Sequence, residues 1–193
     1  MVDVWVGASK SPTDSIAKAI KLVQKAIVLD DTYAEAYGLL GFLYSMTREH
    51  DKAVVQAEKA VSLNPNSAAA HFLVGKTLSF AGSWEESIPE YKKAIRLNPI
   101  PPNNHLWSIG LSYAYTAHYE EAIKWCEKAV RQAPDSLYAR IMMTVVYSFS
   151  GQDEKARAEA AEVLRINPNF SLEKFAKKAG PDLVSALRKA GLK

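Results

Sequence analysis

The side chains that could do chemistry are one thiol, four imidazoles and two pairs of adjacent carboxylates. Cys126 is the single cysteine of the chain, so it has no partner for an internal disulfide. A cysteine attacks as its thiolate and needs surroundings that lower its pKa. Cys126 instead stands at a small, inward position of a predicted helix, where a thiol packs as an apolar group. We therefore predict a packed thiol rather than a nucleophile.

The histidines and the acid pairs are poor candidates for a reaction centre. His50, His71, His105 and His118 occupy unrelated positions in the repeat pattern described below, whereas metal ligands must converge within about 2 Å of one ion. Glu85-Glu86 and Glu120-Glu121 could share a proton-transfer role, but each pair begins a predicted helix, where carboxylates stabilise the positive end of the helix dipole. We predict no catalytic residue, no bound metal, no cofactor and no enzymatic activity.

The composition is that of an ordinary folded protein. Of its 193 residues, 48% are apolar and 23% are charged, which excludes a disordered, collagen-like or disulfide-rich chain. Residues 1–170 carry 18 basic and 19 acidic side chains, while residues 171–193 carry 6 and 2. A body that is nearly neutral offers no broad surface for phosphates. Nucleic acid is therefore not a predicted partner.

The sequence also predicts a cytoplasmic protein without a membrane span. The longest nearly apolar stretch, residues 37–44, is far shorter than the roughly 20 residues that a membrane helix needs. The first residues, Met1 to Trp5, lack the basic and then apolar pattern of a signal peptide. A lone cysteine gives no reason to expect an oxidising compartment.

An internal repeat organises most of the chain. Several sets of residues recur with the same spacings of 34, 35 and 34 residues: Pro65, Pro99, Pro134 and Pro168; Gly41, Gly75, Gly110 and Thr144; Tyr44, Leu78, Tyr113 and Tyr147; Ala60, Ala94, Ala129 and Val163; Ala53, Ser87, Ala122 and Ala156. A period of 20–50 residues is typical of solenoids and propellers. One period upstream, Ala19 and Ala26 fall in two of these sets, so the chain is expected to begin with half a repeat.

Each repeat contains two helical patterns. Tyr37, Leu40, Gly41 and Tyr44 follow the spacing of one buried helix face, and small residues such as Ala53 and Ala60 do the same further on. Gly82-Ser83 and Ser150-Gly151 mark the break between the two helices, and Asn-Pro closes the unit. These patterns predict an all-α stack of antiparallel helix pairs.

The residues resemble the tetratricopeptide repeat, whose pattern of aromatic, Leu, Gly, Tyr, Ala, Ala and Pro spans 34 positions. The resemblance implies a right-handed α-solenoid with four repeats at 34–67, 68–102, 103–136 and 137–170, a half repeat and lead-in at 1–33, and capping helices at 171–193. Thr144 and Val163 replace smaller residues, so the fourth helix pair is expected to be slightly looser than the others.

The resemblance also implies a binding surface. In this family the fifth, ninth and thirteenth positions of each repeat line the concave wall, and here these positions carry large apolar side chains and one lysine. Its predicted members are Phe42, Met46, Phe72, Lys76, Phe80, Trp107, Leu111, Tyr115, Ile141, Val145 and Phe149. We predict that this groove binds an apolar peptide or helix, with Phe80 and Trp107 as central anchors. The alternative is that several of these residues pack against neighbouring helices.

A second use of the family is not expected. Members that bind a C-terminal carboxylate hold it with Lys, Asn and Arg at the second and sixth positions. Here the two positions carry Glu35, Leu39, Ala69, Leu73, Asn104, Ser108, Tyr138 and Met142, with no lysine or arginine.

The tail, from Asn167 to Leu192, is similar to the segment that closes tetratricopeptide regions in bacterial class III adenylate cyclase-type proteins. We therefore expect a non-catalytic interaction module or scaffold in a larger bacterial signalling protein. One alternative is the regulatory or oligomerisation region of a cyclase-type enzyme whose catalytic domain lies outside this chain. Another is self-association, in which the groove receives a helix of a second copy or the chain's own N-terminal half repeat.

Overall fold

The computed structural model describes residues 11–177 and 179–193, and all regular structure in these ranges is helical. Helix α1 corresponds to the expected half repeat, α2 to α9 form four successive pairs, and α10 and α11 lie in the tail. Their bounds are α1 Pro12–Leu29, α2 Ala34–Met46, α3 His50–Leu63, α4 Ala68–Phe80, α5 Trp84–Leu97, α6 Asn103–Tyr115, α7 Tyr119–Gln132, α8 Leu137–Phe149, α9 Asp153–Ile166, α10 Leu172–Ala176 and α11 Pro181–Lys189.

The helices form two compact units, one ending at Pro101 and the other spanning Pro102–Lys193. In the first unit α1 packs on α2, the pairs α2/α3 and α4/α5 lie side by side, and α4 contacts both helices of the preceding pair. In the second unit α8 likewise contacts both helices of the preceding pair, α6 and α7, and it also contacts α9 and α11. Short connections make each pair antiparallel. The predicted fold class, an all-α solenoid of antiparallel helix pairs, is confirmed.

The same turn joins the two helices of every pair. The residue that reverses the chain has a left-handed backbone in all four, with φ of 63° at Arg48, 86° at Gly82, 61° at Ala117 and 74° at Gly151. The next residue then donates its N–H to a carbonyl five residues back, as Glu49 does to Tyr44 at 2.9 Å. This is the Schellman arrangement, which satisfies carbonyls at a helix end. The sequence pattern predicted only two of these four turns, the ones at Gly82 and Gly151.

Small residues let the paired helices approach closely. A Cβ atom on Gly75 would lie 2.7 Å from the ring of Tyr91, and one on Gly110 would lie 2.6 Å from Sγ of Cys126. Both distances are shorter than van der Waals contact, so these positions exclude a side chain. In the fourth pair Thr144 takes the glycine position and is fully buried. The repeat spacing places Ala160 where the earlier pairs have Tyr91 and Cys126, which leaves room for the threonine.

The tail folds back on the fourth pair. The N–H of Leu172 donates to the carbonyl of Lys193 at 2.7 Å, and α11 packs against α8 through buried residues that include Leu183 and Leu187. Lys189 forms an ion pair with Asp153 at 2.7 Å. The tail therefore packs on α8 in the second unit, and an ion pair links it to the start of α9.

Candidate functional site

The first unit carries an aromatic cluster around one lysine. Nζ of Lys76 lies 4.0 Å from the ring centroid of Phe42, 5.8 Å from that of Phe72 and 6.0 Å from that of Phe80. We call these four residues the Lys76 cluster. Phe42 comes from α2, whereas the other three follow one another at intervals of four residues along α4. Residues four apart share one helix face, and two of the α4 members, Lys76 and Phe80, contact Phe42 directly.

Burial has a clear effect on the Lys76 amine. Desolvation lowers the pKa of Lys76 to about 8, because taking the charge out of water disfavours the ammonium form. The faces of aromatic rings attract a cation and replace part of the lost hydration. Burial therefore makes the ammonium form of Lys76 less favourable than it is in water.

The outer edge of the Lys76 cluster remains accessible. Phe80 packs edge-on against Phe42 with ring centroids 5.2 Å apart, and 40% of its surface stays exposed. Met46 and Lys76 are half-buried, while Phe42 and Phe72 are buried. A partner that approached this face would contact Phe80 and Met46.

In the second unit the predicted groove residues divide into two groups. Trp107, Leu111, Tyr115 and Phe149 are half-buried, whereas Ile141 and Val145 are buried. Tyr115 and Phe149 pack edge-on with ring centroids 5.4 Å apart. Ile141 and Val145 belong to α8, which the tail helix α11 and three other helices surround.

Four of the eleven predicted groove residues, Phe42, Phe72, Ile141 and Val145, are buried, which agrees with the alternative that several of these residues pack against neighbouring helices. The physical reason is packing within each unit. Lys76 and Phe80 lie against Phe42, Phe72 packs against the ring of Tyr91 at a centroid distance of 5.7 Å, and helices enclose α8.

Tyr138 is a functional candidate that the spacing rule missed. Its ring stacks on Trp107 with centroids 6.2 Å apart, although it occupies the second position of its repeat rather than the fifth. The pair offers a flat aromatic surface in the second unit. One sequence signal could have identified it: the second position of the other repeats carries Glu35, Ala69 and Asn104, and only the fourth repeat has a large aromatic residue there.

A cleft of about 420 Å³ also lies within the second unit. Tyr115 and Phe149 form part of its wall, and the tail contributes Asp182, Ser185 and Lys189. Burial, with a smaller contribution from Asp182, raises the pKa of Tyr115 to about 12. The cleft depends on where α11 folds back, which the repeat pattern alone does not specify.

The residues considered first for chemistry are separated in space. Cys126 is fully buried, and burial raises the pKa of its thiol to about 12, so the thiolate is disfavoured. His71 is buried between Glu90 and the carbonyl of Pro65, and His118 faces the ring of Tyr113. Among residues 11–177 and 179–193, no three His, Cys, Asp or Glu side chains lie close enough to hold a metal ion.

The acid pairs lie at helix starts. Glu85 and Glu86 stand in the first turn of α5, and Glu120 and Glu121 stand in the first turn of α7. This placement agrees with a role in stabilising the positive end of each helix dipole. Within the described ranges, no helix combines the length and apolar character needed to cross a bilayer.

Comparison with known families accounts for the helix pairs. The tetratricopeptide repeat family matches residues 34–67, 68–101 and 106–136, which is more than half of the chain. The chain belongs to the tetratricopeptide repeat family. This family typically mediates protein–protein interaction, and its fold is generally a non-enzymatic scaffold.

Solved tetratricopeptide repeat structures share the fold. PilW, a widely conserved type IV pilus biogenesis factor, is 18% identical with a TM-score of 0.75, and the match covers 92% of this chain and 81% of PilW. A thermophilic tetratricopeptide repeat protein of Thermus thermophilus is 19% identical with a TM-score of 0.73, and the match covers 90% of this chain and 91% of that one.

YrrB, described as a tetratricopeptide repeat protein with an unusual peptide-binding site, is 20% identical with a TM-score of 0.61; the match covers 87% of this chain and 90% of YrrB. No curated protein matches the sequence. At these identities the likeness shows the fold alone.

Proposed function

We propose that this tetratricopeptide repeat chain binds an apolar peptide or an amphipathic helix through the accessible large side chains of its first helices. The observation that carries the proposal is the outer edge of the Lys76 cluster, where Phe80 is 40% exposed and Met46, four residues after Phe42 on α2, is half-buried. Exposed aromatic and methionine side chains are characteristic of protein-binding surfaces. These residues are additional to the glycine and alanine positions that build the helix pairs.

The second unit supports the proposal independently. Trp107, Leu111, Tyr115 and Phe149 are half-buried on α6 and α8, and Tyr138 extends the aromatic surface beside Trp107. Tryptophan and tyrosine contribute strongly to binding because they bury a large area with few rotatable bonds. The existence of a peptide-binding site in YrrB, which has the same fold, is in keeping with such a role.

The test is selection of peptides followed by measurement of affinity. Random twelve-residue peptides displayed on phage are selected on the full chain, and the best binders are titrated by calorimetry. Phe80→Ala and Trp107→Ala are each expected to weaken binding of the peptides that contact their unit by about tenfold or more. Matched controls remove apolar side chains from the second helices: Val55→Ala in the first unit and Leu164→Ala in the second, where Leu164 is as exposed as Phe80.

The proposal fails if no peptide is selected over the empty support. It also fails if neither aromatic substitution weakens binding while circular dichroism shows a folded chain.

Self-association is a second candidate, and α1 provides the observation that favours it. Leu22, Val28 and Leu29 are exposed on this helix, on the side not covered by α2. An apolar helix face of this kind could receive a second copy of the chain. Light scattering over a range of concentrations separates the two functions: a mass that stays monomeric excludes self-association, whereas a concentration-dependent dimer that Leu22→Ser with Leu29→Ser abolishes supports it.

The larger context remains a proposal from the sequence. We place the chain in a bacterial signalling protein, in the cytoplasm, on the resemblance of residues 167–192 to the end of repeat regions in class III cyclase-type proteins. The deciding experiment is to sequence the gene upstream of this region. A cyclase domain there would make the repeats its regulatory or oligomerisation region, and any other domain would exclude that context.

A further inference from the structure

The cleft of the second unit combines aromatic walls with an acidic group. Tyr115 and Phe149, whose ring centroids lie 5.4 Å apart, form its wall together with Tyr119. Asp182 belongs to the same lining and is exposed in the first turn of α11. Helices α6, α7, α8 and α11 therefore bring three rings and one carboxylate to a single cleft of about 420 Å³.

The negative charge of Asp182 acts on the wall of the cleft. Burial and, to a smaller extent, the Asp182 carboxylate raise the pKa of Tyr115, because a second negative charge nearby opposes the phenolate. The same electric field attracts a cation placed beside the ring. Among the side chains of residues 11–177 and 179–193, none forms an ion pair with Asp182. No described cation therefore neutralises this carboxylate.

A cation fits the cleft better than an anion does. Lys189 also lines the cleft, but its ammonium group forms an ion pair with Asp153 at 2.7 Å. An anion would meet the faces of the aromatic rings, which carry negative partial charge, and the carboxylate of Asp182. A cation is attracted by both. The lining is therefore complementary to a positively charged group with a flat, apolar surface.

We infer that the cleft binds the guanidinium group of an arginine in the peptide partner, stacked against the aromatic wall and paired with the Asp182 carboxylate. The inference rests on the peptide-binding function proposed above and names the side chain that the second unit selects. Arginine suits the cleft better than lysine does, because a planar guanidinium stacks on rings, is weakly hydrated and donates two hydrogen bonds to one carboxylate. The hydroxyl of Ser185, exposed in the same lining, can accept a further N–H.

The charge of the surrounding tail limits how basic the partner should be. Residues 171–193 carry six basic side chains and two acidic ones, Glu173 and Asp182. This excess of positive charge repels a run of cationic residues, whereas a single arginine gains the local attraction of Asp182. We therefore expect one arginine among large apolar residues, which pack on Trp107 and Tyr138 in the same unit.

The experiment selects random twelve-residue phage-displayed peptides on three versions of the full chain. These are the unchanged chain, Asp182→Asn and Glu173→Gln, the last removing the other acidic charge of the tail from an exposed position in the first turn of α10. Peptides of the second unit are recognised because Trp107→Ala weakens their binding. Among them, we expect arginine beside apolar residues to be enriched on the unchanged chain and on Glu173→Gln. On Asp182→Asn the apolar residues should remain enriched and arginine should not.

A double-mutant cycle, measured by calorimetry, makes the test quantitative. Citrulline has nearly the shape of arginine without its charge. Replacing the arginine of a selected peptide by citrulline is expected to weaken binding to the unchanged chain and to Glu173→Gln by about tenfold, and to Asp182→Asn by about twofold. The remaining twofold loss reflects the attraction of the rings for the cation.

Three results would overturn the inference and leave the peptide-binding function standing. The selected peptides could all bind independently of Trp107, the Trp107-dependent peptides could lack arginine, or the preference for arginine could survive in Asp182→Asn. If no peptide is selected on any version, both the inference and the peptide-binding function are overturned.

Discussion

Arg48 has the same left-handed backbone conformation as Gly82, its counterpart one repeat later. Their φ angles are 63° and 86°, and Ala117 and Gly151 continue the series at 61° and 74°. Glycine adopts this conformation without a steric cost, whereas a residue with a Cβ atom pays about 1–2 kcal/mol. The chain therefore uses one turn geometry four times but has a favourable residue in only two of the turns.

Arg48→Gly and Ala117→Gly should each stabilise the protein. We expect the free energy of unfolding to increase by about 0.5–1 kcal/mol, because relief of the left-handed strain exceeds the entropy that glycine adds to the unfolded chain. Urea denaturation measures the change. The matched control is Gly82→Ala, which should destabilise by a similar amount since a Cβ atom there has open space and only the backbone angle opposes it. A loss of stability in both glycine variants would contradict the argument.

The helix pairs could be predicted from the sequence because each depends on local periodicity and on small residues at a crossing. Gly41, Gly75 and Gly110 recur with the repeat, and the structure gives each a close neighbour on the paired helix. The turn at Arg48 could not be recognised in this way, because neither arginine nor alanine carries a signal for a left-handed backbone. Here the fold imposes a conformation that the residue type alone disfavours.

The exposure of the proposed groove residues could be predicted only in part. The family spacing identified Phe80, Trp107 and Tyr115, which retain exposed surface, but it also included Val145, which is buried within its unit. Exposure depends on which side chains fold over a position and on where the tail lies. Both are tertiary features, and neither is encoded in the spacing of residues along one helix.

The thiol of Cys126 should react only when the protein unfolds. Burial raises its pKa from 9.0 to about 12, so at pH 8 the folded state contains roughly a thousandth of the thiolate present in the unfolded chain. We expect an aromatic disulfide reagent to modify the folded protein at least about 1,000-fold more slowly than the urea-unfolded protein. The control is Ser62→Cys in a Cys126→Ala background, whose exposed thiol should react rapidly in the folded state. Rapid reaction of native Cys126 would refute its burial.

Lys76 should make stability depend on pH in a predictable direction. Its pKa is about 8 in the folded protein and has its ordinary value of 10.5 in the unfolded chain. Between these values the unfolded chain binds more protons, so the free energy of unfolding increases as the pH rises from 8 to 10.5. Below pH 8 burial of the charged amine lowers the free energy of unfolding by its full amount, which is at most about 3 kcal/mol for a pKa difference of this size.

Lys76→Met should therefore raise the free energy of unfolding by about 1–3 kcal/mol at pH 7 and by little at pH 10. Urea denaturation at pH 7, 8, 9 and 10 measures the effect, and Lys92→Met is the control for loss of one charge. The raised pKa of Cys126 lowers stability above pH 9 in every variant, so the comparison uses differences between variants at each pH. A gain that is equal at pH 7 and pH 10 would contradict the assigned cause.

Gly110 and Cys126 should prove energetically coupled. A Cβ atom on Gly110 would lie 2.6 Å from Sγ of Cys126 and 3.2 Å from the carbonyl oxygen of Ala122, so Gly110→Ala is expected to cost about 1–3 kcal/mol through overpacking. Removing Sγ with Cys126→Ala relieves the shorter contact and leaves the alanine that the fourth pair has at this position, Ala160. The double variant should then be at least about 1 kcal/mol more stable than the sum of the single changes implies.

Urea denaturation of the four proteins measures this coupling, and Gly180→Ala, where the new Cβ atom meets open space, is the control for adding a methyl group. Strict additivity would show that the helices separate freely at this crossing and that the glycine is not required for their close approach.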